Sequence, residues 1–132
     1  MTNFDRKWHL LYCDRAIRHC PVTEFIDDCQ PKHQVKIIRF LDLLEEMGPT
    51  LQRPYADVLH DGIHELRIKL SGEQIRLLYF FCYQKYIVLY YGFVKNTSRV
   101  PETLINKVIA YRNDFMSRNA PGELEGIVRE AI

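Results

Sequence analysis

The chain has 132 residues, a mass of 15.7 kDa, 47% hydrophobic and 27% charged residues, and a formal net charge of +1. That length fits one domain whose core needs no staples, and the hydrophobic fraction excludes a disordered or fibrous chain. No run reaches the roughly 18 apolar residues of a membrane helix, and a charge so near zero argues against a generic polyanion binder.

In chain order, Lys7 to Cys13 is rich in aromatic and apolar residues and predicts a first strand. Pro21 and Thr23 open a short helix with Val22, Phe25, Ile26 and Cys29 on one apolar stripe. Pro31 starts a second helix that Gly48-Pro49 ends. Its face to be buried is Ile37, Phe40, Leu41, Leu44 and Met47, while Lys36, Arg39, Asp42, Glu45 and Glu46 stay wet. Thr50 to Gly62 is punctuated by Pro54 and Asp61-Gly62 and reads as a connecting loop.

The hydrophobic period then changes from 3.6 to 2. His64, Leu66, Ile68 and Leu70 fall on one face of a strand, and Glu65, Arg67 and Lys69 on the other. Ser71-Gly72-Glu73 signals a hairpin, Ile75 to Cys82 a second strand, Tyr83-Gln84-Lys85 another turn, and Tyr86 to Val94 a third strand. A polar loop from Lys95 to Val100 leads to Pro101-Glu102, which open a final helix. That helix buries Leu104, Ile105, Val108, Tyr111 or Ile109, and Phe115, and stops near Asn119; residues 119–132 form an acidic tail. The order predicts a single α+β domain over residues 1–132, an N-terminal strand plus a three-strand meander in a small antiparallel sheet, with helices packed on one face.

Cys13, Cys20, Cys29 and Cys82 form no Cys-x-x-Cys pair, and the start Met1-Thr2-Asn3-Phe4-Asp5-Arg6 has no basic-then-apolar leader. Reduced thiols in a cytoplasmic protein are therefore expected. A zinc set of Cys13, Cys20, Cys29 and His33 matches no known ligand spacing, so neither metal nor cofactor is expected. His60 and His64 are four apart, but the Asp61-Gly62 turn between them keeps them off a common helix face.

Charge is unevenly spread. Residues 1–61 carry −2, residues 62–118 carry +5 and residues 119–132 carry −2. Half of the aromatics, Tyr79, Phe80, Phe81, Tyr83, Tyr86, Tyr90, Tyr91 and Phe93, lie in the same basic segment. Cations that neutralise phosphate, interleaved with rings that stack on unpaired bases, suit single-stranded RNA. A solvated strand face with packing aromatics is the plain alternative.

Four segments carry a family resemblance. Leu59-His60-Asp61-Gly62-Ile63-His64-Glu65-Leu66-Arg67 resembles the L-x-D-G-x-x-E-L-R segment of HigB-like toxins, the phage-derived branch of the RelE/ParE toxin superfamily. Gln74-Ile75-Arg76-Leu77-Leu78-Tyr79-Phe80 is similar to its x-x-R-x-x-Y-F strand, and Leu89-Tyr90-Tyr91-Gly92-Phe93-Val94-Lys95 to its L-x-x-G-F-x-K strand. Pro31 to Gly48 resembles its proline-led helix. The resemblance implies a small α+β toxin of a type II toxin–antitoxin pair that works on the concave sheet face. It implies an endoribonuclease (mRNA interferase) that cuts mRNA, commonly on the ribosome, and is neutralised by a helix-turn-helix antitoxin. DNA contact is then only through the antitoxin, and no membrane is involved. Superfamily relatives that inhibit a protein target such as gyrase, or that only bind an antitoxin, remain alternatives.

Metal-free RNA cleavage needs a base for the 2′-OH, stabilisation of charge on phosphorus and a proton for the leaving 5′-oxygen. No His–Glu pair stands out in the sequence, so the catalytic candidates are the cations Arg67, Arg76, Lys95 and Lys69. Arg67 and Arg76 suit phosphate gripping; Lys69 or Lys95 suits a base only with a depressed pKa. Tyr90, Tyr91 and Arg99 are the candidates for holding RNA, one tyrosine facing the site and the other the core. Arg76, in an otherwise apolar strand, needs a partner and either pairs with Glu65 or reaches into a site. On the second reading, Arg76→Ala leaves the fold intact and abolishes toxicity.

Overall fold

Prolines at the first helical turn start both early helices, α1 (Pro21–Asp27) and α2 (Pro31–Met47). The computed structural model describes residues 8–13, 20–96 and 99–122. The other elements are β1 (His9–Tyr12), a 3-10 turn (Gly48–Thr50), β2 (Ala56–His60), β3 (Ile63–Leu70), β4 (Glu73–Cys82), β5 (Tyr86–Val94) and α3 (Glu102–Arg118). Lys7, the middle of the loop before α3 and the tail from residue 123 lie outside the described residues.

Local chemistry sets the meander. In the Asp61-Gly62 and Ser71-Gly72 turns both residues have positive φ, the two-residue geometry whose twist suits a hairpin. They fix the registers His60↔Ile63 and Leu70↔Glu73. Glycine also decides the end of α2. Gly48 has φ +53°, and a Cβ there would run into the indole of buried Trp8.

The sheet order is β1-β5-β4-β3-β2, with β1 parallel to β5 and the other pairs antiparallel. The α+β class and the meander agree with the sequence reading, but five details differ. The stretch read as a loop contains β2, a short edge strand whose Val58 is 58% exposed and whose alternation is therefore faint. At the other edge β1 pairs with β5 in the same direction, so the sheet is mixed rather than antiparallel throughout.

The helices also do not share one face. Val22 of α1 and Ile37, Leu41 and Leu44 of α2 pack with Leu66, Ile68, Leu77 and Tyr79. Ile105, Val108, Tyr111 and Phe115 of α3 pack with Ile63, Leu78, Phe80 and Val88, the residues of opposite parity. The physical reason is visible in β4, where Ile75 to Phe80 is buried continuously and so needs cover on both sides. Met47, expected to be buried, is 41% exposed, because Gly48 rather than Met47 meets Trp8. Lastly, Cys13 and Cys20 form a disulfide with Cα atoms 5.8 Å apart, inside the usual span for a bridge. The expectation of four reduced thiols is corrected to two, Cys29 and Cys82.

Candidate functional site

The face that α3 shares is only partly covered by it. Along β3, Ile63, Glu65, Arg67 and Lys69 point to this face, and their exposure rises in that order away from α3, from fully buried Ile63 to open Lys69. Where the cover ends, a cleft of about 320 Å³ opens between β2, β3 and the start of α3. Its cations are Arg53, Arg67, Lys95 and Arg99, and its carboxylates are Asp57, Glu65 and Glu102. Leu59, Val100 and Ile105 supply apolar wall, and His60 stands at the end of β2.

A buried ion pair forms the floor. Glu65 is 4% exposed and Arg76 is 3% exposed, with Arg76 Nε 2.9 Å from Glu65 Oε1. The Nε–H is not aligned as a hydrogen bond, so the contact is ionic. Arg76 donates instead through Nη1 to the Ile75 carbonyl (3.1 Å) and through Nη2 to Gln74 Oε1 (2.7 Å). Burial pulls its pKa down from the ordinary value, and the Glu65 charge opposes that pull. Arg67 Nε lies 3.8 Å from the same carboxylate oxygen, with its side chain 31% exposed to the cleft. Glu65 thus sits between two guanidiniums opposed across β3 and β4 in the Arg67↔Arg76 register.

At the rim, Arg53 binds Asp57 through Nη2 and Nε at 2.6 and 2.9 Å. That hydrogen bond holds the Asp57 carboxyl below its usual range. His60 bridges two carboxylates: Nδ1 is 2.7 Å from Asp61 Oδ2, and Nε2 is 2.8 Å from Glu102 Oε2. Those two contacts, Asp61 first, raise its pKa. Arg112 Nη1 donates to the Asp61 carbonyl, a second tie between α3 and this turn.

Of the residues singled out in the sequence, Arg67, Lys95 and Arg99 therefore meet in one cleft. Lys95 also borders a neighbouring groove beside Gly72, Gln74 and Asn96. Arg76 lies beneath the cleft rather than in its lining, and Lys69 stands exposed beyond it. The two tyrosines do not divide between site and core. A register shift in β5 opposite Leu78 and Tyr79 interrupts the alternation at Tyr90. Tyr90 stacks on Tyr111 of α3 (4.2 Å, 15°), and Lys107 of α3 lies over Tyr91 at 5.6 Å. His64 is on the opposite face, as its parity predicts, stacked on Tyr79 at 5.4 Å with burial lowering its pKa.

Sequence reasoning missed His60, Glu102, Arg53 and Asp57. The His60–Glu102 contact joins residues 42 apart, and nothing local announces it. Arg53 and Asp57 carry a weak signal, the i, i+4 spacing of opposite charges, hidden in a stretch read as a loop.

Among the described residues no group of three or more His, Cys, Asp or Glu side chains is placed to hold a metal ion. Among them, too, no helix is long and apolar enough to cross a membrane. No curated protein matches the chain. A family profile matches residues 24–112, which include every residue lining the cleft. The chain belongs to the phage-derived Gp49-like protein family (DUF891), a family also described as toxins of toxin–antitoxin type.

Proposed function

We infer that this protein is the HigB-like, RelE-type toxin of a type II toxin–antitoxin pair and a metal-independent endoribonuclease acting on ribosome-engaged mRNA. The observation that carries this reading is the convergence of Arg67, Lys95 and Arg99 on one cleft at the uncovered part of the sheet. The segments that carry the sequence resemblance include two of these cations, Arg67 and Lys95. A phosphodiester seated there meets the Arg67 guanidinium, which offers two parallel donors to two phosphate oxygens and keeps its proton throughout. Lys95 adds a point charge next to it, and its position between two grooves suits a strand that continues past the scissile bond. Arg76 acts as a positioning residue: it neutralises Glu65, so the Arg67 charge is not spent on the carboxylate below it. The cognate antitoxin is a helix-turn-helix protein that blocks this cleft, and DNA is met only through it.

The test is primer extension on a reporter mRNA incubated with the purified protein, with and without ribosomes. Cleavage is expected with ribosomes, and Arg67→Ala with Lys95→Ala should reduce it by roughly 100-fold or more while the melting temperature stays near the parent's, since both side chains are partly exposed. Intact mRNA alongside a DNA-damage response on expression would instead identify a toxin directed at a protein such as gyrase.

A further inference from the structure

The cations of the cleft stabilise charge but do not by themselves explain how the leaving oxygen obtains a proton. We propose that His60 is the general acid of this site and Glu102 its paired base, a role that rests on the endoribonuclease reading above. His60 stands on the cleft wall at the end of β2, with its two ring nitrogens held by carboxylates from different elements. Exposed ion pairs add little to stability, so tying a turn to a helix is a weak reason for a histidine bracketed this way. A protonated imidazole held next to the phosphate site is what an acid requires.

The groups facing His60 are consistent with that state. From its own turn comes Asp61, and from α3 come Glu102 and, through the Asp61 carbonyl, Arg112. From β2, Asp57 is engaged by Arg53, and from β3, Glu65 is engaged by Arg76. Arg67, Lys95 and Arg99 line the same cleft and would hold the phosphate's negative charge. The two carboxylates in contact favour the imidazolium and raise its pKa.

In the step, the 2′-oxygen bonds to phosphorus as its proton passes to the Glu102 carboxylate. The P–O5′ bond breaks, and O5′ takes the proton from His60 Nε2 as the ring turns from Glu102 toward the substrate. The products are a 2′,3′-cyclic phosphate and a 5′-hydroxyl end. Glu102 then returns its proton to Nε2, 2.8 Å away in the resting structure, and the pair is restored.

The experiment compares a natural mRNA with one whose scissile 5′-oxygen is replaced by sulfur, a leaving group that departs as thiolate without a proton. His60→Gln should slow cleavage of the natural RNA by roughly 100-fold or more yet cut the 5′-thio RNA at close to the parent's rate. Arg67→Ala should slow both. The parent's rate on natural RNA should also fall as pH rises through the His60 pKa, and that limb should be absent in His60→Gln. Equal slowing of both substrates, or of neither, would overturn the assignment of His60 while leaving the endoribonuclease reading intact. Failure of the parent to cut either RNA would remove the reading and the assignment together.

Discussion

The most direct physical test concerns the floor of the cleft. Arg76 and Glu65 are 3% and 4% exposed and lie 2.9 Å apart, so each neutralises the other out of reach of bulk water. Truncating Arg76 to alanine leaves a buried carboxylate whose other cation, Arg67, is 3.8 Å away and partly solvated. It also strips donors from the Ile75 carbonyl and from Gln74 Oε1. Breaking a buried pair in this way costs about 3–5 kcal/mol. For a chain of this size that lowers the melting temperature by roughly 10–20 °C. Glu65→Gln should destabilise in the same direction, by leaving the Arg76 guanidinium buried without its counter-charge. The double variant Glu65→Leu with Arg76→Met replaces both charges by apolar volume and should unfold within about 1.5 kcal/mol of the parent. Urea titrations of the parent, Glu65→Leu, Arg76→Met and this double variant close a cycle that gives the coupling free energy. An Arg76→Ala midpoint within about 3 °C of the parent would refute the reasoning and restore the sequence-based expectation that this residue can be removed without harm to the fold. Until that is measured, loss of toxicity in Arg76→Ala cannot identify a catalytic arginine.

Two further outcomes follow from packing. His64 is held neutral by burial, so its contribution to stability is fully present above the unfolded pKa of about 6.5 and is lost as pH falls through its depressed folded value. His64→Phe keeps a ring against Tyr79 and Phe81 and should lose less stability than the parent between pH 7.5 and pH 5, measured by thermal melts; equal slopes would exclude His64 as the source. A Cβ at Gly92 would stand 2.7 Å from Phe25 Cδ2 and 2.9 Å from Leu77 Cδ2, which wedges α1 off β5. Gly92→Ala should therefore destabilise by roughly 1–3 kcal/mol, and by less in a Phe25→Leu background; no loss in either would show that α1 is free to shift.

Much of the fold was legible because strong local signals agreed. Prolines at the starts of α1 and α2, glycine at the end of α2, and two-residue turns between β2, β3 and β4 each dictate a backbone state regardless of context. Strand β2 was illegible for the opposite reason. It is five residues long, has one face exposed at Val58, and mixes Asp57 and His60 into its pattern. The position of α3 was legible in principle: a strand apolar on both parities, as β4 is from Leu77 to Cys82, requires cover on both faces. At the site, alternation along β3 placed Arg67 and separated it from His64. It could not locate His60 against Glu102, because that contact depends on how α3 crosses the sheet. Nor could alternation foresee its own interruption at Tyr90, which turns both tyrosines toward α3.

The gradient along β3 explains why the cations of this chain are not interchangeable. Under α3 the face carries Ile63, which adds apolar burial. One pair of residues further, cover is still complete but the side chain is Glu65, and a carboxylate there is tolerable only with Arg76 against it. At Arg67 the cover thins, so the guanidinium touches the floor through Nε and still reaches the cleft. At Lys69 nothing lies overhead, and the charge is solvated and screened. Under the proposed function, a substrate phosphate would therefore gain most at Arg67, where water is partly excluded and the guanidinium's position is set from below. On the endoribonuclease reading, exchanging the two cations, by Arg67→Lys with Lys69→Arg, should slow cleavage sharply although net charge and fold are kept. Cleavage by that double variant at the parent's rate would show that the site needs only positive charge on this face, not a guanidinium at one depth.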